Sequence, residues 1–226
     1  MDAARVSADH AIALEPANAT QVEVLKGPAT LLYGNGAVGG IVNVVDERIP
    51  TVLPDGGEMS LDVGYGENAD AGTIAASATV PLGESFALHI GGSSRDTDDY
   101  DAFDGQRIAN SDLQTDSLSV GGSWVGALGH FGIAVTELES DYGIPGEDAR
   151  IVLDQSRWDI SGSLALNNRL FKRLKLAGGV NDYEHREGEN RFSNDEHDVR
   201  LELQHQAIGQ WQGVIGVQVG DREFSI

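Results

Sequence analysis

The 226-residue chain has no cysteine, which rules out a disulfide framework and any thiolate metal site. Basic residues are scarce, 15 Lys and Arg against 36 Asp and Glu, giving a net charge of −21. A surface of that sign repels nucleic acid and anionic headgroups and favours cations, so nucleic-acid binding is not expected. No run reaches the roughly 20 apolar residues of a spanning helix, and Met1 to Arg5 hold no apolar signal-peptide core. Nor is there a nucleophile–base pair with supporting residues, and scattered Asp, Glu and His in acidic stretches are weak grounds for hydrolysis, so no enzyme is expected. A soluble protein and a membrane β-barrel both satisfy these absences, because barrel strands alternate and leave hydropathy almost silent.

What is present is alternation. From Gly57 onward the chain falls into segments of about ten residues with a period of two, the strand signature. Leu61, Val63 and Tyr65 share one face, as do Ile74 to Leu82 in steps of two, and Phe86, Leu88 and Ile90. The pattern returns around Leu118, Phe131, Trp158, Leu174, Val199 and Ile215, nine strands in all. The second face carries Ser, Gly, Thr, Asp, Asn, Gln and Arg, which suits a solvated lumen as well as an outer surface.

Connection lengths separate the two readings. Residues 81–84, 126–129 and 167–170 read as tight turns, whereas 96–112, 141–150 and 187–195 read as long polar loops. Short turns at one end and long loops at the other are the layout of an outer-membrane barrel. Aromatics near strand ends, such as Tyr65, Phe86, Trp124 and Trp158, suit interfacial girdles. The fold expected is all-β, an antiparallel transmembrane β-barrel in part, of about nine strands. Five aspartates between Asp96 and Asp104 invite a calcium reading, but the EF-hand order of ligands is absent and a solvated, cation-attracting loop is the simpler account.

The front of the chain differs. In "VEVLKGPATLLYGNGAVGGIVNVV" a strand at Val22 to Leu25 runs into Lys26-Gly27-Pro28, then a short helical turn from Ala29 to Tyr33. Four glycines in seven residues follow, and a second strand from Ile41 to Val45. The Gly34-x-Gly36-x-x-Gly39 spacing precedes a strand instead of opening a helix, and no Walker lysine follows, so a nucleotide site is not expected. This block closely resembles the end of the plug domain of TonB-dependent receptors, the gated transporters of Gram-negative outer membranes. The residues that carry the resemblance are Lys26, Gly27, Pro28, Tyr33, Gly34, Gly39, Gly40 and Asn43, with Lys26 standing where the family more often has arginine. The expected division is the C-terminal part of an α+β plug at 1–50 and the N-terminal part of the barrel at 51–226.

What the resemblance implies follows from it alone. It implies location in the outer membrane, lipid and the TonB energy complex as partners, and active uptake without covalent chemistry or a permanent cofactor. It also implies a chain that is a fragment, with segments before and after it. A narrower likeness, in "SADHAIALEP", "DYGIPG" and "NDYEHREGE", is to a branch that includes zinc-uptake receptors. That branch implies Zn²⁺ or another divalent metal as cargo, held by Asp9, His10 and Glu187, with His185 as an auxiliary ligand. Two features run against it: no histidine-rich tract follows "IPG", and the six histidines are scattered. A ferric-siderophore receptor is the alternative cargo class. A soluble, acidic all-β cation-binding module is the alternative of another kind.

Overall fold

The computed structural model describes residues 16–27, 40–166 and 168–226. Strands β1 (Gln21–Lys26) and β2 (Gly40–Val45) pair antiparallel, with Glu23 opposite Asn43 and Lys26 opposite Gly40. Both strands fall where the sequence predicts them. The Asn43 amide donates to the Glu23 carboxylate at 3.0 Å, which locks this register by a cross-strand side-chain bond. Gly40 sits at φ +143°, and a Cβ there would stand 2.5 Å from the Leu25 carbonyl oxygen, so the tight pairing needs glycine.

Nine further strands form one antiparallel sheet in strict chain order. They are β3 (Glu58–Gly66), β4 (Ala71–Leu82), β5 (Phe86–Thr97), β6 (Leu113–Gly126), β7 (Gly129–Gly143), β8 (Arg150–Ala165), β9 (Phe171–Glu187), β10 (Asn190–His205) and β11 (Val214–Ser225). Each pairs with its neighbour in sequence, so β3 and β11 are the two edges. The count agrees with the periodicity.

The faces are inverted relative to a water-soluble sheet. On β5, Phe86, Leu88 and Ile90 are 55, 45 and 52 % exposed, while the intervening Ala87 and His89 are 0 and 6 % exposed. The same holds across the sheet: the buried polar residues include Thr79, Ser93, Thr115, Ser123, Asn181 and Asn194, and the exposed ones include Leu118, Trp124, Phe131, Ile133, Trp158 and Val199. Ladder register joins the apolar residues into continuous rows, such as Val120–Val135–Trp158–Val180 and Ile133–Ile160–Gly178–Val199–Val219. A soluble module would hide that face. This sheet turns it outward, and hydroxyls fill the inner side in pairs, Ser60–Ser77 and Ser93–Ser117 at 2.7 Å each.

Above the band the outward face becomes acidic. Asp116, Glu139, Asp154 and Glu184 stand opposite one another across four strands. Like charges side by side are destabilising, and hydrocarbon around them is excluded, so this row marks water. The strands nevertheless continue: β6 to β10 have 14 to 17 residues, more than the sequence pattern shows. One expected loop is therefore absent. Residues 187–195 form a hairpin in which Gly188 and Glu189 alone connect β9 to β10, with Gly188 in the left-handed region at φ +58°. The Asp-rich connection at 98–112 is a true loop, and its carboxylates build it: Asp99 accepts from the Ser111 amide at 2.8 Å and Asp104 from the Gln106 amide at 3.1 Å.

Ile133 lies at the centre of the outward band. Ile133→Arg is expected to cost about 2–4 kcal/mol of folding stability in a bilayer. Ser161→Arg, on the inward face of β8, is expected to cost much less. Equilibrium refolding into phospholipid vesicles measures both, and equal costs would mean that the outward face does not meet lipid.

Candidate functional site

The inward face of the sheet and the segment that enters it form the candidate site. A turn at Pro16–Asn18 rests against β4 and β5. After β2 the chain crosses the inner wall as residues 46–57 before starting β3 at the sheet edge. Asp46 closes a turn by accepting from both the Arg48 amide (3.2 Å) and its guanidinium (2.9 Å). Arg48 then reaches the wall: its Nη1 lies 3.1 Å from the Thr136 hydroxyl on β7 and 3.3 Å from the Asp159 carboxylate on β8. Asp159 is also held by Arg157 at 2.8 Å. All three charged partners are less than 40 % exposed at the side chain, so the pairs act in a partly desolvated setting where screening is reduced.

Glycine makes room for this crossing. A Cβ at Gly121 would stand 1.8 Å from the Arg48 carbonyl oxygen, and one at Gly132 would stand 2.6 Å from the Ile49 side chain. The two glycines, on β6 and β7, form a shallow bed that only a residue without a side chain supplies.

Two cavities border the segment. One, of about 130 Å³, is lined by Asn18, Asp46, Arg48, His89, Gln155 and Arg157 among others. The other, of about 300 Å³, faces Glu47, Glu58, Asp62 and His89. His89 is fixed in the wall, its Nδ1 2.9 Å from the Thr79 hydroxyl. Among the described residues no group of three His, Asp or Glu side chains is close enough to hold a metal.

The residues singled out from the sequence divide as follows. Asp9, His10, Pro28, Tyr33, Gly34 and Gly39 lie outside the described residues. Lys26, Gly27, Gly40 and Asn43 sit in or beside the β1–β2 pair, Gly27 at φ +97°. Glu187 ends β9, opposite Ile151 and Asn190. His185 shares its inward face two residues earlier but is 2 % exposed, stacked on Phe192 (centroids 4.6 Å apart) and edge-on to Tyr183 (5.5 Å). With Leu138 and Leu153 these rings form the apolar upper part of the inner wall. Sequence reasoning missed Arg48, Thr136 and Asp159. One signal was available: Asp159 is a charge on the inward face between two outward apolar residues, Trp158 and Ile160.

At the outer rim, Arg150 bridges Asp112 and Asp141 at 2.9 and 2.7 Å. The Asn110 amide, with its backbone at φ +59°, donates to the carbonyls of Ile144, Glu147 and Ala149 at 3.1, 3.0 and 2.7 Å. The hydrogen bond from Arg150, working against the upward push of partial burial, holds the Asp112 carboxyl below the usual carboxylate range. A depressed carboxylate contributes stability above its ordinary value near 3.9 and loses it as pH falls through the folded value. The rim clip is thus expected to be intact at neutral pH and to open below about pH 4. Limited proteolysis within residues 98–112 should accelerate there, and Asp112→Asn should show the fast rate already at pH 7; a rate independent of both pH and substitution would dismiss the clip.

Residues 3–41 match the TonB-dependent Receptor Plug Domain. The chain is 35 % identical over 89 residues to the ferric enterobactin receptor PirA of Pseudomonas aeruginosa, which covers 38 % of the chain and 12 % of that receptor. It is 32 % identical over 110 residues to the ferrienterobactin receptor of Escherichia coli, covering 45 % and 14 %. These alignments thus span only about an eighth of the length of those relatives. Among solved structures, the copper transporter OprC superposes over 93 % of this chain and 35 % of its own, with a TM-score of 0.84 at 15 % identity. That likeness carries the fold, a partial receptor barrel. The relatives are receptors and transporters, not enzymes, in agreement with the expectation that the chain catalyses no reaction.

Proposed function

We propose that this chain, whose plug-domain segment and relatives are those of TonB-dependent receptors, is the plug-to-barrel section of a gated transporter that takes up a metal complex. It is a protein of the Gram-negative outer membrane. One observation carries the reading: a sheet with its apolar face outward and its polar face closed over a segment that leads directly from a plug sequence. In lipid every backbone polar group must be paired within the protein, and the sequential antiparallel ladder pairs its seven inner strands, β4 to β10, on both sides without help from water. Residues 1–50 act as plug and 51–226 as barrel wall in this reading. No permanently bound cofactor is part of it.

A ferric siderophore is the cargo that the related ferric enterobactin receptors favour, and a bare divalent metal is the second. Zinc held by Asp9, His10 and Glu187 remains a reading of the sequence. One placement supports it, the inward face that Glu187 shares with His185. The aromatic enclosure of His185 weighs against that side chain as an auxiliary ligand. Energy would come through the TonB complex acting on the plug.

Deleting the gene and feeding the cells iron-labelled enterobactin or labelled zinc separates the cargoes. A severalfold loss of iron uptake, abolished equally by removing TonB, is expected. Loss of zinc uptake alone would exchange the cargo. Unchanged uptake of every metal complex tried, with the protein present in the membrane, would overturn the transporter reading.

A further inference from the structure

The inner-wall crossing has a mechanical meaning beyond transport as such. The chain joins the sheet at β3, an edge strand with a single hydrogen-bonded neighbour among the described strands. Pulling on β3 from its first residue would load its pairs with β4 one at a time, the geometry in which a sheet peels. The connecting segment, however, touches down well inside the sheet before it reaches that edge. Arg48 bonds Thr136 on β7 and Asp159 on β8, its carbonyl fills the space at Gly121 on β6, and Ile49 fills that at Gly132 on β7. Asp46 holds Arg48 in this pose from behind.

We propose that Asp46–Ile49 is a load-bearing anchor, resting on the plug reading above, that lets the segment before it be displaced while β3 stays in place. Tension arriving along β2 passes through the Arg48 guanidinium into two interior strands. Those strands have partners on both sides, so the load is applied across whole ladders and not at one terminal pair. The bed of Gly121 and Gly132 adds a steric part: the backbone of Arg48 and Ile49 is seated between strands as well as bonded to them. Upstream of Asp46, the described residues of β1 and β2 pack mainly against each other and little against the barrel strands. The β1–β2 pair is a two-stranded unit that can open by itself.

Single-molecule pulling on outer-membrane fragments, with the gene expressed in full, tests this. Val22→Cys supplies a thiol handle in a chain that has none of its own, and Val22 is an exposed position on β1. Extension from the handle to Asp46 covers about 24 residues, or about 80 Å at ~3.4 Å each, and extension to Glu58 covers about 36 residues, or about 120 Å. The expected trace halts near 80 Å and yields again only at higher force. In Arg48→Ala it runs through to about 120 Å without the halt, and Asp159→Asn, which keeps the shape of the wall, shows the same loss. A wild-type trace that runs directly to about 120 Å overturns the anchor, and so does a halt that survives both substitutions. The measurement uses neither the energy complex nor a cargo. Absent uptake would therefore sink the transporter reading alone, and an absent halt the anchor alone.

Discussion

Everything in this structure depends on satisfying backbone hydrogen bonds where no water is available. A strand that faces hydrocarbon cannot leave amides or carbonyls open, so the chain must pair each strand with its neighbour along the whole apolar band. The ladder does so in chain order for β4 to β10, and β3 and β11 have one partner each among the described strands. Once the backbone is paired, the side chains are free to be inverted. Leucine, isoleucine, valine and tryptophan stand outward because lipid accepts them, and Ser, Thr, Asn and His turn inward, where they pair with one another. The cost of burying the Ser93 and Thr115 hydroxyls is offset by a serine hydroxyl on the next strand.

The inner wall is uneven, and that unevenness positions the site. From β3 to β6 it is mainly Ser, Thr, Ala and Gly, with His89, Glu58 and Asp62 among them, and at Gly121 it is open enough for the connecting segment to lie close. From β7 to β9 it carries Arg157, Asp159 and, higher up, a set of rings and aliphatic side chains around His185. The crossing segment is seated where the halves meet, on Gly121 of β6 and Gly132 of β7, and is bonded to the charged half. The two halves act as one receptacle: shape comes from glycine and direction from the guanidinium. Neither alone would define where the chain between plug and barrel comes to rest.

How much of this was legible in the sequence depends on where along each strand one looks. Within the apolar band, alternation alone gave the strands and their faces, because Leu, Ile and Val recur every second residue against Ser and Gly. Beyond the band the signal fades. Beside the β9–β10 turn Glu184, Arg186, Arg191 and Ser193 face outward and Glu187, Asn190 and Asn194 inward, so both faces read as loop. That is why the stretch after Glu187 was taken for a long connection when it is a two-residue turn. The β1–β2 pair was legible from its glycines and its two apolar runs. The Arg48 contacts were not, because Thr136 and Asp159 lie 88 and about 110 residues away and meet Arg48 only through the register of β7 against β8. Residue types gave the chemistry of the wall, and register gave its address.

The short turn at Gly188–Glu189 has a consequence for what a molecule outside the cell first meets. β9 has 17 residues, whereas about ten suffice to cross the hydrocarbon at a tilt near 45°. The surplus, about seven residues at roughly 3.3 Å each along strands tilted near 45°, lifts the hairpin some 15 Å clear of the hydrocarbon. Because it is laddered to β8 and closes in a tight turn, that height is a parapet and not a tether. A diffusing solute would strike a fixed, negatively charged rampart before it reached either the membrane or the opening beside it, and the reach of the protein into its surroundings is set by strand length.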